Sequence, residues 1–261
     1  MPIPVTLPAP LSQRIAEADG PLFGIWVATA SATMAEIAGA SGFEVVIIDG
    51  EHTPVHLETT VELLRALAAY PLAIPLVRVP SLDRVFLKQV LEIGAQNILI
   101  PMIDTVEQAK EAVAAVRYPP RGVRGVGSYL GRSSRWAAVP DYLDGADDTI
   151  SLYTQVESQE AIENLPEILA VDGIDGIFIG PADLSASMGL LGQELHPDVI
   201  AAVKKCIDMA KAAGKQVGLN AFDIDQAHDY ARYGADFVMA TADTALVING
   251  AAWMQKTLRA E

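Results

Sequence analysis

Short apolar runs alternate along the chain with longer segments in which apolar residues recur every three to four positions. The runs predict eight strands, at residues 22–29, 43–52, 73–80, 95–102, 150–157, 174–180, 215–221 and 235–242. Each strand is followed by a segment with a helical pattern, and Val and Ile fill both faces of several runs, as strands of a parallel sheet require. Eight such units predict an α/β fold, a (β/α)8 TIM barrel rather than an open sheet.

The alternation is interrupted by residues 118–148, a stretch rich in Gly and Pro. Loops of this length inside a compact domain are uncommon and often functional. Five arginines lie in or beside it: Arg117, Arg121, Arg124, Arg132 and Arg135. In so acidic a chain this clustering indicates a substrate lid or a subunit contact. An ordinary surface loop is an equally good interpretation.

Composition narrows the class of protein. The chain has 261 residues and a formal net charge of −15, which fits one barrel domain over residues 1–261. A sequence pI near 4.6 argues against nucleic acid and anionic membranes as partners, because both need a basic face. There is one cysteine, and prolines interrupt the N-terminal stretch where a secretory signal needs an apolar core. We therefore expect a cytoplasmic protein without a membrane span.

Two acidic residues follow neighbouring strands of the predicted barrel. Glu157 ends the fifth strand, and Asp183 comes just after the sixth. Carboxyl ends of parallel strands collect at one face, so the two carboxylates should converge there. Carboxylate oxygens suit Mg²⁺ or Mn²⁺, with water filling the remaining positions. The turn GPAD around Asp183 also opens a helix, whose free N–H groups form a carboxylate site.

The second and third strands add a base and a cation to the same face. His52 follows the second strand and titrates near neutral pH, which suits a general base that Asp49 or Glu51 could orient. Arg78 ends the third strand, where a buried guanidinium needs an anionic partner such as a carboxylate or a developing enolate. Together these groups predict proton abstraction next to the carbonyl of a small keto acid.

A Schiff-base mechanism would need a lysine at the barrel mouth. Every lysine falls on a predicted helix except Lys215, which begins the seventh strand at the opposite end. The sequence therefore favours a metal over a lysine imine.

The chain resembles the HpcH/HpaI aldolase family in five segments that keep the family's order and spacing. These are IIDGEH (47–52), PLVRVP (75–80), RYPPRGVRGVG (117–127), QVES (155–158) and GIFIGPADLSASMG (176–189). The resemblance implies a barrel of the phosphoenolpyruvate/pyruvate-binding type and a class II aldolase. Such an enzyme cleaves or forms 4-hydroxy-2-oxo acids from pyruvate or hydroxypyruvate plus an aldehyde, through an enolate, and the family serves aromatic compound catabolism.

The resemblance also implies roles for individual residues. Glu157 and Asp183 would be ligands of Mg²⁺, Mn²⁺ or Co²⁺, with no organic cofactor. The other implied roles are His52 as base, Arg78 at the keto-acid carbonyl oxygen, Gln155 beside the metal, the backbone at Ala182 and Asp183 at the carboxylate, and Trp26 and Leu219 on the aldehyde side. For the carboxylate that assists His52 we prefer Asp49, with Asp83 or Glu92, also from another subunit, as alternatives.

The family further implies a homohexamer, a dimer of trimers, with the last helix (about 243–259) exchanged between subunits. The barrel mouth is nearest to the branch that cleaves 4-hydroxy-2-oxoheptanedioate, but Asn220 stands where a cation for a diacid would be expected. Two alternatives remain open. One is a citryl- or malyl-CoA-type lyase, whose CoA phosphates only the arginines of 117–135 could bind, and the other is a non-catalytic barrel that binds a keto acid.

Overall fold

Eight parallel strands close into a barrel in the computed structural model, which describes residues 3–259. Residues 1, 2, 260 and 261 of the predicted domain lie outside the described part. The strands are β1 (Leu22–Val27), β2 (Val45–Asp49), β3 (Ile74–Arg78), β4 (Asn97–Ile100), β5 (Ser151–Val156), β6 (Gly176–Ile179), β7 (Gln216–Asn220) and β8 (Phe237–Ala242). Each pairs with the next, and β1 pairs with β8. The predicted TIM barrel is confirmed, and its strands are shorter than the apolar runs.

Helices connect successive strands around the barrel, and one further helix precedes the first strand and another follows the last. They are α1 (Leu11–Ala16), α2 (Ala32–Ala40), α3 (Leu57–Leu67), α4 (Arg84–Glu92), α5 (Val106–Val116), α6 (Tyr142–Gly145), α7 (Gln159–Leu169), α8 (Pro181–Ser187), α9 (Pro197–Ala212), α10 (Ile224–Tyr233) and α11 (Asp243–Leu258). Several begin where a side-chain oxygen accepts a first-turn N–H group, namely at Ser31, Asp83, Thr105, Ser158 and Asp223. None of the helices in the described part of the chain is long and apolar enough to cross a membrane.

The barrel interior is filled by large side chains that face glycines on adjoining strands. Tyr153 packs against Gly176, and Phe237 packs against Gly218. A Cβ atom at either glycine would overlap the neighbouring ring. The glycines therefore make room for aromatic side chains that would otherwise not fit so narrow a barrel.

A short helix that the sequence did not predict closes the amino-terminal end of the barrel. Leu11 of α1 is fully buried, and its backbone N–H donates to Oδ1 of Asn97 at 2.6 Å. The backbone N–H of Ser12 donates to Ser151 Oγ at 2.9 Å, and its carbonyl accepts from Gln216 Nε2 at 2.8 Å. Polar residues at the start of β4, β5 and β7 thus hold α1 as a plug. The surrounding prolines concealed this helix in the sequence.

The arginine-rich segment lies away from the mouth of its own barrel. It runs from the end of α5 to the start of β5, along α4 and the amino-terminal end of the barrel. Val123 N–H donates to the Ala114 carbonyl at 2.7 Å, and Ser133 N–H donates to the Glu92 carbonyl at 3.1 Å. A connection from a helix to the next strand lies at the amino-terminal end of the strands, opposite to the mouth. The interpretation of this segment as a lid over the chain's own site is therefore wrong.

Candidate active site

The ends of β2 and β3 hold a cluster of opposite charges. Asp49 and Arg78 are register partners on the two strands, and both are buried. Arg78 Nε and Nη2 each lie 2.9 Å from Asp49 Oδ1, and Nη1 lies 2.9 Å from Glu51 Oε2. Asp49 Oδ1 also accepts the backbone N–H of Glu51 at 3.0 Å. One carboxylate therefore fixes both the guanidinium and the turn that carries Glu51 and His52.

The face of the Arg78 guanidinium is covered by an aromatic ring from β1. Its central carbon lies 4.4 Å from the centroid of the Trp26 ring. The indole N–H donates to Asn220 Oδ1 at 2.7 Å, and Phe178 contacts the indole edge on. The cation is thus held by charge at its edge and by a π face above it, which leaves little freedom to reorient.

A second acidic group follows β5. Glu157 is 7% exposed, and its Oε1 accepts the backbone N–H of Met102 at 2.6 Å. Its Oε2 accepts from Nε2 of Gln155, which also faces the mouth. Gly180 provides the space, since a Cβ there would lie 3.1 Å from Gln155 Nε2. Asp183 stands beside this group in the first turn of α8 and is exposed, as is Ala182.

The electrostatics of these carboxylates favour a cation. Burial raises the pKa of Glu157, and the charges of Glu51 and Asp183 raise it further, whereas the hydrogen bonds from Met102 and Gln155 lower it. Burial also raises the pKa of Glu51, against the opposing effect of Arg78. Three carboxylates that repel one another at one mouth would be relieved by a bound cation.

The donor set fits a hard divalent ion. Glu157 and Asp183 offer carboxylate oxygens, and Gln155 Oε1 is buried without a hydrogen-bond partner. Among residues 3–259 no group of three His, Cys, Asp or Glu side chains is arranged to hold a metal. The residues present therefore match an ion such as Mg²⁺ that keeps several waters, rather than an ion enclosed by protein.

The structure revises which carboxylate stands beside His52. Asp49 is committed to Arg78, and the side chain nearest the imidazole is Glu51, whose Oε2 lies 3.7 Å from Nε2. Asp83 caps α4 by accepting the Phe86 N–H at 2.6 Å. Glu92 accepts from Ser133 Oγ at 2.9 Å and lies beside Arg124. Within one chain, the carboxylate beside the His52 imidazole is therefore that of Glu51 and not that of Asp49.

The prediction for Leu219 is wrong by one position. Its side chain is 0% exposed and packs between β7 and the surrounding helices. Asn220 is the residue of β7 that faces inward at the mouth, where it meets Trp26. Side chains alternate along a strand, so a shift by one residue exchanges the two faces. The alternation of Gly218 and Asn220 with two buried aliphatic residues was the available signal.

Two further residues support the candidate active site, and neither could be predicted from the sequence. The Met102 N–H that binds Glu157 depends on a backbone with φ 55 at the end of β4. Asp243, at the start of α11, is buried and accepts the backbone N–H groups of Ala28 and Thr29 at 3.0 and 3.2 Å. It thereby ties α11 to the loop that follows Trp26. Neither contact can be read from local spacing.

Known proteins resemble this chain over most of its length. The family described as HpcH/HpaI aldolase/citrate lyase matches residues 22–250. A hydroxypyruvate/pyruvate aldolase of Deinococcus radiodurans is 49% identical over 254 residues, covering 96% of this chain and 91% of the relative. A 4-hydroxy-2-oxo-heptane-1,7-dioate aldolase of Salmonella dublin is 47% identical, with 90% and 89% covered. A crystal structure of an HpcH/HpaI aldolase/citrate lyase family protein from Burkholderia cenocepacia superposes with a TM-score of 0.91 at 34% identity, over 95% and 98% of the two chains.

The barrel and the relatives together define an enzyme, a carbon–carbon lyase of the aldolase type. The chain belongs to the HpcH/HpaI aldolase/citrate lyase family. The resemblance seen in the sequence is thereby confirmed.

Proposed function

We propose that the chain is a metal-dependent class II aldolase that cleaves or forms 4-hydroxy-2-oxo acids from pyruvate or hydroxypyruvate and an aldehyde. One observation carries the proposal. The fixed cation Arg78, with His52 and Glu51 beside it, shares a barrel mouth with the carboxylates Glu157 and Asp183. The names of the two aldolase relatives, one of which acts on hydroxypyruvate and pyruvate, support this reaction.

Arg78 would bind the oxygen that becomes negative when the carbon–carbon bond breaks. Its edge is held by Asp49 and Glu51, so the guanidinium is oriented before substrate arrives. Prepared donors of this kind stabilise developing charge without reorganisation. The N–H groups at Ala182 and Asp183, in the first turn of α8, would hold the keto-acid carboxylate.

His52 would move the protons. In cleavage it takes the proton of the 4-hydroxyl group, the C3–C4 bond breaks, and its electron pair passes to the enolate of the keto acid. The aldehyde leaves, and C3 then receives a proton. The side chain of His52 is 64% exposed, so it can reach substrate, and Glu51 stands 3.7 Å away to orient it.

Glu157 and Asp183 would hold the divalent ion, with Gln155 Oε1 directed to it or to one of its waters. The ion would polarise the keto-acid carbonyl as a Lewis acid. The Glu157 carboxylate is kept in place by the Met102 N–H and by Gln155, so the protein itself positions this group.

The aldehyde side favours an uncharged acceptor. A cleft of about 190 Å³ opens beside Asn220, and its charged lining residues are Glu194 and Asp223. A semialdehyde that carries a carboxylate would be repelled there, whereas an uncharged aldehyde would not. We therefore place hydroxypyruvate or pyruvate plus an uncharged aldehyde ahead of the heptanedioate reaction.

The test is pyruvate release from 4-hydroxy-2-oxo acids, with and without a terminal carboxylate. Chelator should abolish it, and Mg²⁺ or Mn²⁺ should restore it; full activity after chelation would contradict the metal role. His52→Ala should abolish exchange of pyruvate methyl protons with solvent. His56→Ala is the matched control, because His56 is an exposed neighbour at the start of α3.

The CoA-lyase alternative loses support from the position of the arginines. Arg117 pairs with Asp172 at 3.6 Å, and Arg121 pairs with Asp147 at 3.0 Å. The segment that carries them follows α4 and the amino-terminal end of the barrel. It could not reach the phosphates of a CoA bound at the mouth of the same chain.

For the assembly we propose the homohexamer, with α11 exchanged between neighbouring subunits. Only Asp243 of this helix is buried, while Val247, Ile248 and Trp253 are 60, 66 and 67% exposed. A helix that exposes so many large apolar side chains is typical of a subunit interface. Light scattering of the intact chain and of a chain ending before α11 would test this, the truncation being expected to lower the oligomeric state.

A further inference from the structure

A cavity of about 380 Å³ lies at the amino-terminal end of the barrel, far from the candidate active site. The starts of β3 and β4, the end of α3, and residues 6–9 form its walls. Ile74 lines the cavity at one end of β3, and Arg78 stands at the other end. Four residue steps of ~3.3 Å separate them by about 13 Å along the strand. The cavity is therefore not part of the mouth.

The charges around this cavity are all of one sign. Arg14, Arg132 and Arg135 line it, and none of its described lining residues is acidic. In residues 3–259 these three arginines form no ion pair, although the chain has 33 acidic residues. Other arginines of the same segment, such as Arg121 and Arg124, do pair with carboxylates. The contrast singles out this cavity.

Two of these guanidinium groups converge on one glycine. A Cβ at Gly94 would lie 2.6 Å from Arg132 Nη1 and 3.1 Å from Arg135 Nη1. Their protein acceptors are backbone carbonyls, those of Ile93 and of Arg132 itself. Burial and, after it, the charge of Arg135 together lower the pKa of Arg132 to about 10. Two adjacent, half-buried cations without a carboxylate are electrostatically unfavourable unless an anion joins them.

The backbone around Arg135 is also strained. Arg135, Trp136 and Ala137 have φ values of 52, 55 and 63. Left-handed conformations are unfavourable for residues other than glycine, because the Cβ atom approaches the following carbonyl oxygen. Strain of this kind tends to persist where the surroundings require one particular side-chain position. Here it turns Arg135 back against Gly94 and into the cavity.

We propose that this cavity is a second binding site, which takes an organic anion with an apolar body. The guanidinium groups of Arg132 and Arg135 would bind its carboxylate. The apolar wall formed by Leu64, Leu67 and Ile74 would hold the rest of the molecule. A volume of about 380 Å³ suits a molecule of one or two rings, and many ligand sites are of this size.

Calorimetric titration of the intact protein with benzoate tests the proposal. Benzoate should bind saturably, whereas benzamide, of nearly the same shape but uncharged, should bind at least about tenfold more weakly, since charge-assisted hydrogen bonds are roughly twice as strong as neutral ones. The Arg132→Gln/Arg135→Gln double variant should lose at least about tenfold in benzoate affinity. Arg121→Gln, in the same segment but at another surface, should keep it. Any binding of benzoate at the mouth would be the same in all these proteins.

Four outcomes would overturn the proposal. They are no saturable benzoate binding, equal binding of benzamide, undiminished binding by the double variant, or an equal loss in Arg121→Gln. Inorganic phosphate serves as a further probe, and phosphate binding without benzoate binding would contradict the apolar part of the proposal. The benzamide comparison needs no variant, so the test stands even if the double variant folds poorly.

Discussion

The guanidinium of Arg78 lies over the indole of Trp26, with 4.4 Å between its central carbon and the ring centroid. At the same time its edge binds Asp49 and Glu51. Three neighbours therefore fix both the position and the plane of the cation. A lysine cannot reproduce this arrangement, because an ammonium has neither the flat face nor the fork of donors.

We therefore expect Arg78→Lys to lower kcat/KM for pyruvate release by at least about 100-fold, which corresponds to ~2.7 kcal/mol of transition-state stabilisation. Trp26→Phe keeps a π face but loses the hydrogen bond to Asn220, and its loss should be smaller. Steady-state measurement of kcat/KM for both variants tests this expectation. An Arg78→Lys enzyme within tenfold of the parent would show that the planar fork is not required.

Glu51 and Asp49 both bind Arg78, but only Glu51 also stands next to the His52 ring. Glu51→Gln should therefore act mainly on proton transfer, lowering kcat and methyl-proton exchange by about 10- to 100-fold with little change in KM. Asp49→Asn should act mainly through Arg78 and raise KM for the keto acid. Exchange monitored by NMR, together with steady-state kinetics, separates the two. The reverse pattern would restore Asp49 as the partner of His52.

The charge on Glu157 is unfavourable for folding when no metal is bound. Its pKa is raised above 4.5 in the folded protein, chiefly by burial, so the folded state binds a proton more tightly than the unfolded state does. The resulting destabilisation is absent below the unfolded pKa. It grows as pH rises through the folded pKa, and it is complete above that value.

Glu157→Gln should therefore raise the Tm of metal-free protein at pH 8, and the gain should shrink as pH falls towards 4.5. The buried Gln155 Oε1 has no partner, so a flip of that amide would let it accept from the new amide group. The same variant should lose metal-dependent activity. Thermal unfolding in chelator at several pH values measures the effect. A lower Tm at pH 8 would contradict the burial argument.

Most of the fold and part of the site could be predicted from the sequence, and the limits have a physical cause. Strand order and strand ends follow from the alternation of elements, which is why Arg78, Glu157 and Asp183 were correctly placed at one mouth. Whether a given residue faces in or out is harder to predict. Leu219 was expected at the mouth from the family resemblance alone, and a match that is shifted by one residue along a strand exchanges the inward and outward faces.

Contacts between distant segments could not be predicted from the sequence, for another reason. Helix α1 is held by polar groups at the start of three strands, and the pairing of Arg124 with Glu92 depends on the path of a long irregular segment. Such contacts follow from tertiary geometry and leave no local period. The position of the arginines, and with it the second cavity, therefore became visible only in three dimensions.

The glycines of the barrel interior provide a prediction about stability. At Gly218 a Cβ would overlap the ring of Phe237, which is fully buried and contacts Tyr153 edge on. The Phe237 ring also packs against Phe178, so Gly218→Ala should destabilise the protein by roughly 1–3 kcal/mol through overpacking. For a chain of this size, each kcal/mol corresponds to about 2–4 °C in Tm.

Gly20→Ala is the matched control. Nothing lies within 4 Å of the position that its Cβ would take, and its φ is not in the left-handed region. Its Tm should stay the same or rise slightly, because alanine restricts the unfolded chain. Calorimetry of both variants, with divalent metal absent, isolates the packing effect from ligand binding. Equal Tm values for the two would mean that the Phe237 ring can relax, and that the fit between glycine and aromatic ring is not what limits the barrel interior.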